Sequence, residues 1–263
     1  MNNVIINTKK LKELMENNPL AAVIDLRSEE DYQSGHIDGA VNIPAKENFG
    51  GVASFLPELE ALGDKLGELG ITNESEIILY DSGKYRAASK AFFVLYYLNH
   101  HSVSILEGGL SEWVRLDNEL TNELPTITQA TYIIDPVESR AVSIDYVKEN
   151  LENSKSTLID SRSVERYTGQ REPKYAKAGR IPNTVNYVSN EVFDEAGKWR
   201  SNEELKKHYE ALENKDEVIV SCGSGTSACL NLVALKIAGY DNVKMYSGGF
   251  SEWINEGNEI DKD

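Results

Sequence analysis

The chain repeats itself. Ala22-Val23-Ile24-Asp25-Leu26-Arg27-Ser28 returns as Thr157-Leu158-Ile159-Asp160-Ser161-Arg162-Ser163. Near the end of each half, Glu107-Gly108-Gly109-Leu110-Ser111-Glu112-Trp113 returns as Ser247-Gly248-Gly249-Phe250-Ser251-Glu252-Trp253. The offsets of 135 and 140 residues are domain-sized and too long for a solenoid unit. Two matches in the same order indicate duplication, so both halves must suit one fold. The second half carries an extra stretch between its landmarks.

Each half alternates short apolar runs with helical stretches. In the first, a helix is expected over 8–17, strands over 21–26 and 41–43, a helix over 56–69 and a strand over 76–80. A long helix over 87–99 and a strand over 103–106 complete it. Strands over 157–160, 184–187, 217–221 and 243–246 repeat the plan. Continuous apolar strands separated by helices predict an α/β fold: two tandem domains, each a parallel β-sheet flanked by α-helices. Pro125 and Pro136, in a stretch without a clear period, predict a linker over 123–142 between domains 1–122 and 143–263.

The halves differ in one loop. After Ile77-Ile78-Leu79-Tyr80 the first has Asp81-Ser82-Gly83-Lys84-Tyr85-Arg86; after Val218-Ile219-Val220-Ser221 the second has Cys222-Gly223-Ser224-Gly225-Thr226-Ser227. Both run from a strand's C-terminal end into a helix, where open parallel sheets bind ligands. Only the second offers a nucleophile. Gly223 and Gly225 permit a tight turn with amide N–H groups pointing inward, and the helix beginning near Ser227 adds its positive end. Such a loop stabilises an anionic sulfur on Cys222. Cys229, seven positions on, is expected to be buried in the helix. Asp25 and Asp160 are read as structural caps of the loops after their strands.

Composition narrows the classes. A net charge of −16 opposes binding to nucleic acid or an anionic membrane through the general surface. The N-terminus has only three consecutive apolar residues, and a spanning helix would need roughly 18. A cytoplasmic protein is therefore expected. Two cysteines and four histidines without ligand spacing predict neither a disulfide framework nor a metal, and no cofactor is required. One stretch runs against the overall charge. Residues 162–180 hold six basic side chains, Arg162, Arg166, Arg171, Lys174, Lys177 and Arg180, against Glu165 and Glu172, a formal +4.

The paired Ile-Asp-x-Arg strands, His36-Ile37-Asp38-Gly39-Ala40, the Gly-Gly-x-Ser-Glu-Trp endings and the cysteine loop together resemble tandem rhodanese-domain sulfurtransferases. The resemblance covers nearly the whole chain. It implies an inactive N-terminal domain with Asp81 at the cysteine position, a persulfide carried on Cys222, and a site between the domains. Cys222-Gly223-Ser224-Gly225 is similar to the loop of 3-mercaptopyruvate sulfurtransferases, whereas thiosulfate sulfurtransferases tend to carry cations there. This chain continues with Thr226-Ser227 where Val-Thr is usual.

The resemblance further implies that Arg166 and a second cation, Lys174 or Arg171, bind the donor's carboxylate. Ser224 and His36 would join a proton relay, and Gly223, Gly225, Thr226 and Ser227 would line the substrate. The partners implied are a small anionic sulfur donor and a thiol acceptor, thioredoxin or a low-molecular-weight thiol, or cyanide. Two alternatives are a thiosulfate:cyanide sulfurtransferase and a non-enzymatic sulfur-sensing domain. A cysteine phosphatase would need an Arg six positions after Cys222, where Ala228 stands.

Overall fold

A computed structural model describes residues 3–50 and 55–263, so residues 1, 2 and 51–54 of the first expected domain lie outside the described residues. The chain divides into two compact units, Met1–Val137 and Glu138–Asp263.

In the first unit the order is β1 (Ile5–Ile6), α1 (Thr8–Asn17), β2 (Ala21–Asp25), α2 (Glu29–Gln33), β3 (Val41–Asn42) and α3 (Ala45–Asn48), followed by α4 (Leu59–Glu68), β4 (Glu76–Tyr80), α5 (Arg86–Tyr97), β5 (Val103–Leu106) and α6 (Gly109–Arg115). The sheet is parallel with strand order β1-β5-β4-β2-β3. The pair Ile5-Ile6, too short to read as a strand from sequence, becomes one because Ile5 and Ile6 pair with Ile105 and Leu106.

The second unit runs α7 (Ile144–Asn150), β6 (Ser156–Asp160), α8 (Val164–Tyr167), β7 (Val185–Asn186), α9 (Asn202–His208), β8 (Glu217–Ser221), α10 (Ala228–Ala238), β9 (Val243–Met245) and α11 (Gly249–Asn255). Its parallel order is β7-β6-β8-β9. Where the first unit has β1, this one has a single parallel bridge from Ala141 to Met245.

The repeat persists in hydrogen bonding. Arg27 grips Asp25 and the Gly35 carbonyl, and Arg162 grips Asp160 and the Gly179 carbonyl, each through Nη2 at 2.6 and 2.8 Å. Asn42 and Asn186 each donate to two main-chain carbonyls, one at the end of the neighbouring strand and one two residues beyond it. Trp113 and Trp253 donate Nε1–H to the carbonyls of Glu119 and Glu259 and sit in matching apolar cores. Asp25 and Asp160 both accept from the amide two residues on at 2.9 Å.

One expectation is altered. Most of the 123–142 stretch is packed on the first unit rather than slung between domains. Ala130 N–H bonds the Gly67 carbonyl, Ile133 N–H bonds Asn73 Oδ1, and Val137 N–H bonds the Tyr97 carbonyl. Tyr132 is buried with its hydroxyl on His100. Glycines on α4 admit this approach: a Cβ on Gly67 would lie 2.7 Å from the Ala130 carbonyl oxygen. The prolines therefore mark an extended strap, and the unit boundary follows Val137.

Two tendencies oppose each other at Gly67. In an exposed helix Gly→Ala stabilises by about 1 kcal/mol, but here the new methyl would strike main chain. Gly67→Ala is expected to cost about 1–3 kcal/mol in chemical denaturation. A neutral or stabilising result would contradict this packing.

Candidate active site

In the second unit the chain leaves β6 toward β7 on one side and resumes in β8 on the other. The loops after β6 and β8 therefore flank a topological switch point, where parallel sheets open a crevice. Arg162 follows β6 and Cys222 follows β8.

Cys222 is 4% exposed, and the Gly225 N–H points at its Sγ at 3.0 Å. Gly225 has φ +90°, which favours glycine and lets the turn bring that amide inward. The loop is held from below by α11. Phe250 N–H donates to the Cys222 carbonyl at 2.9 Å and Ser251 N–H to the Gly223 carbonyl at 3.1 Å. Gly249, at φ +59°, makes this crossing possible, since a Cβ there would lie 2.5 Å from the Cys222 carbonyl oxygen. Helix α10, apolar nearly all round, starts at Ala228 and is buried behind the loop. Its one buried polar side chain, Asn231, is fully engaged. It accepts from Tyr209 Oη at 2.6 Å and donates to Ser161 Oγ and the Tyr187 carbonyl, which ties α10 to the loop after β6.

The first unit has the same frame with a different residue in it. Leu110 N–H bonds the Asp81 carbonyl at 2.9 Å, as Phe250 N–H does for Cys222. Asp81, 6% exposed, accepts from the amides of Gly83, Tyr85 and Ala88 at 2.8, 3.2 and 3.4 Å. That loop is wrapped around its own carboxylate, with φ +104° at Gly83 and +59° at Tyr85. An anion built into the chain occupies the position that Cys222 holds in the second unit.

The basic stretch separates into parts. Arg162 is buried, gripping Asp160, the Gly179 carbonyl and Glu172 Oε2 (3.2 Å), with its guanidinium carbon 4.0 Å from the centre of the Phe250 ring. Arg180 pairs with Asp263 at 2.8 Å. Arg166 reaches the cysteine loop, its Nη2 being 3.4 Å from where a Gly223 Cβ would stand, but Nε and Nη2 are already bonded to Glu172. Lys174, Arg171 and Lys177 are exposed and form no ion pair among the described residues. Ser224 and Ser227 are half-buried and Thr226 is exposed on the same loop. Cys229 is buried inside α10, its Sγ 3.7 Å from the Gly225 carbonyl oxygen.

His36 lies in the first unit, fully buried and stacked on Tyr32 with ring centroids 3.7 Å apart. Its Nδ1 faces the Tyr32 carbonyl at 2.9 Å and its Nε2 the Glu123 carbonyl at 3.2 Å. Among the described residues no group of His, Cys, Asp and Glu is placed to hold a metal ion, and no helix is long and apolar enough to cross a membrane.

Two residues at the loop escaped the sequence reading. Glu172 has a side chain 2% exposed between Arg162 and Arg166. Tyr175 lies over Gly223, with its Oη 2.7 Å from the position a Cβ would take. Their signal was the length of the second half's insertion. From the gripping arginine to its carbonyl partner is 8 residues in the first unit and 17 in the second, and the added residues carry both.

The description "Rhodanese-like domain" matches residues 7–116 and 143–256. A protein of Pseudomonas aeruginosa named "Probable 3-mercaptopyruvate sulfurtransferase" is 30% identical over 86% of this chain and 83% of its own length. The thiosulfate sulfurtransferase of Rattus norvegicus is 28% identical over 87% of this chain and 80% of its own. Among solved structures, the anaerobic ergothioneine biosynthesis enzyme of Chlorobium limicola superposes with a TM-score of 0.84 at 22% identity, over 99% of this chain and 70% of that one, a likeness of fold alone. With two duplicated parallel sheets, a loop cysteine in only one of them, and a family match over most of its length, this chain belongs to the rhodanese-like domain family of sulfurtransferases.

Proposed function

We propose that the enzyme moves sulfane sulfur from 3-mercaptopyruvate to a thiol or to cyanide through a persulfide on Cys222. The observation that carries the reading is the Gly225 N–H aimed at Cys222 Sγ, beside an arginine that overhangs the same loop. That main-chain donor fixes the sulfur in the loop at the position from which it would attack. Arg166 supplies a cation for a carboxylate that stays at a distance from the reacting sulfur, and Lys174, with its exposed ammonium, is the second.

In the first half-reaction the Cys222 thiolate attacks the donor's sulfur. An S–S bond forms, the C–S bond breaks with its electron pair going to carbon, and the donor's thiol proton ends on that carbon to give pyruvate. The Cys222 persulfide anion remains in the loop, lined by Gly223, Gly225, Thr226 and Ser227. In the second half-reaction an acceptor thiolate or cyanide attacks the outer sulfur and frees Cys222. Ser224 supplies a loop hydroxyl to steady the departing enolate. A proton relay through His36 would require one of its two carbonyl contacts to break. The acceptors proposed are thioredoxin or a small thiol, in the cytoplasm.

Two sets of variants test this. Cys222→Ser is expected to abolish sulfur transfer and Cys229→Ser to leave most of it, measured as thiocyanate or pyruvate formed; loss in the second variant alone would place the chemistry on the wrong thiol. In kcat/KM the parent is expected to favour 3-mercaptopyruvate over thiosulfate, and Arg166→Ala to lower its use at least about tenfold, the equivalent of ~1.4 kcal/mol. A wide preference for thiosulfate would overturn the donor assignment and leave the sulfurtransferase reading standing.

A further inference from the structure

The cation cluster that brings Arg166 to the cysteine loop is already occupied. Asp160, Arg162, Glu172 and Arg166 form one continuous chain of contacts, with 2.6 Å from Arg162 to Asp160, 3.2 Å from Arg162 to Glu172 and 2.8 Å from Arg166 to Glu172. Two cations meet two anions, so the quartet is formally neutral. The Glu172 carboxylate also accepts the Lys174 main-chain N–H at 3.0 Å, which fixes it in the loop that passes over Gly223. It takes the Nε and Nη2 edge of Arg166, the edge that would otherwise grip a ligand's carboxylate with two parallel bonds. Only Nη1 of Arg166 is left without a protein partner among the described residues.

We propose that Glu172 is a positioning residue that sets which anions reach Cys222, aiming Arg166 at the loop while cancelling its charge, so that the site takes a single carboxylate end-on and discriminates against dianions. The proposal deepens the reading of the site as one for an anionic sulfur donor, and rests on it. The Tyr175 ring, 5.4 Å from the Arg166 guanidinium carbon, lies against the same arm and narrows the approach. Removing the Glu172 charge leaves the quartet at +1 and frees the two-donor edge of Arg166. Anions would then gain access, and dianions would gain most.

The test needs no sulfur donor. Cys222 in the full chain is alkylated with iodoacetate and with iodoacetamide, and the adduct is located by mass spectrometry. In both reactions the thiolate displaces iodide, and the reagents differ chiefly in the carboxylate, so the ratio of their rates cancels changes in the thiol itself. Glu172→Gln is expected to raise the iodoacetate-to-iodoacetamide ratio about tenfold, and Glu172→Asp to stay near the parent. Sulfate should protect Cys222 from iodoacetamide at lower concentration in Glu172→Gln than in the parent. A purely structural role would move both rates together, and an unchanged or lowered ratio overturns the proposal.

A second measurement serves if Glu172→Gln does not fold. With Lys174→Ala, which takes away the exposed ammonium of the same stretch, a neutral quartet predicts a ratio that does not fall as salt is added, and a steep fall would show an uncompensated Arg166 and overturn the proposal. A parent that ignores 3-mercaptopyruvate would remove the donor assignment without altering either result.

Discussion

The grip of Arg162 on Asp160 organises the second unit. Asp160 ends β6 beside Ser221 at the end of β8, so whatever is tied to Asp160 is registered against the cysteine that follows. Arg162 ties on three things: the Asp160 carboxylate, the Gly179 carbonyl that closes the insertion, and Glu172 within it. Through Glu172 the register passes to Arg166 and on to the space above Gly223. Removing one partner of a buried pair leaves an uncompensated charge and typically costs about 3–5 kcal/mol. Losing this link would unfix the insertion and, through Glu172, the placement of Arg166 over Gly223.

The duplicated unit shows how little separates a scaffold from a site. Arg27 grips Asp25 and the Gly35 carbonyl as Arg162 grips Asp160 and Gly179, and the helix after β5 holds the loop carbonyl of Asp81 as α11 holds that of Cys222. Two changes set them apart. Asp81 supplies its own carboxylate to the loop amides and occupies those of Gly83, Tyr85 and Ala88. The short connection from Arg27 to Gly35 leaves no room for counterparts of Glu172 and Tyr175. In both halves loop amides face this position, three N–H groups on Asp81 and that of Gly225 on Cys222 Sγ, the arrangement from which an anion cradle is built. Reactivity needs a nucleophile in the cradle and a shaped approach above it.

Much of this was legible in the residues. Strands such as Ile77-Ile78-Leu79-Tyr80 and Val218-Ile219-Val220-Ser221 are apolar throughout because both faces of a parallel sheet are covered, and that pattern fixes their place without reference to partners. The Gly-Gly-x-Ser-Glu-Trp endings were visible as a repeat, although the reason for the second glycine, close passage over a loop carbonyl, emerges only in three dimensions. Short elements defined by tertiary pairing were not legible: β1 exists because β5 lies beside it, and the Pro125 to Pro136 strap because α4 presents glycines to it. Charge counting also misled in a specific way. The +4 stretch reads as a pool of open cations, yet Arg162, Arg166 and Arg180 are each paired, two of them through a single glutamate inside the stretch. Sequence gives the inventory of charges, and pairing decides which of them a ligand meets.

The central claim is that sulfur rests on Cys222 between two half-reactions. The direct measurement is peptide mass spectrometry of the full chain after incubation with 3-mercaptopyruvate and no acceptor, then again after a thiol is added. The account predicts the mass of one added sulfur atom on the peptide that carries Cys222, formed together with pyruvate and lost when the thiol arrives. Pyruvate release without sulfur on that peptide, or sulfur found on Cys229 instead, would contradict it.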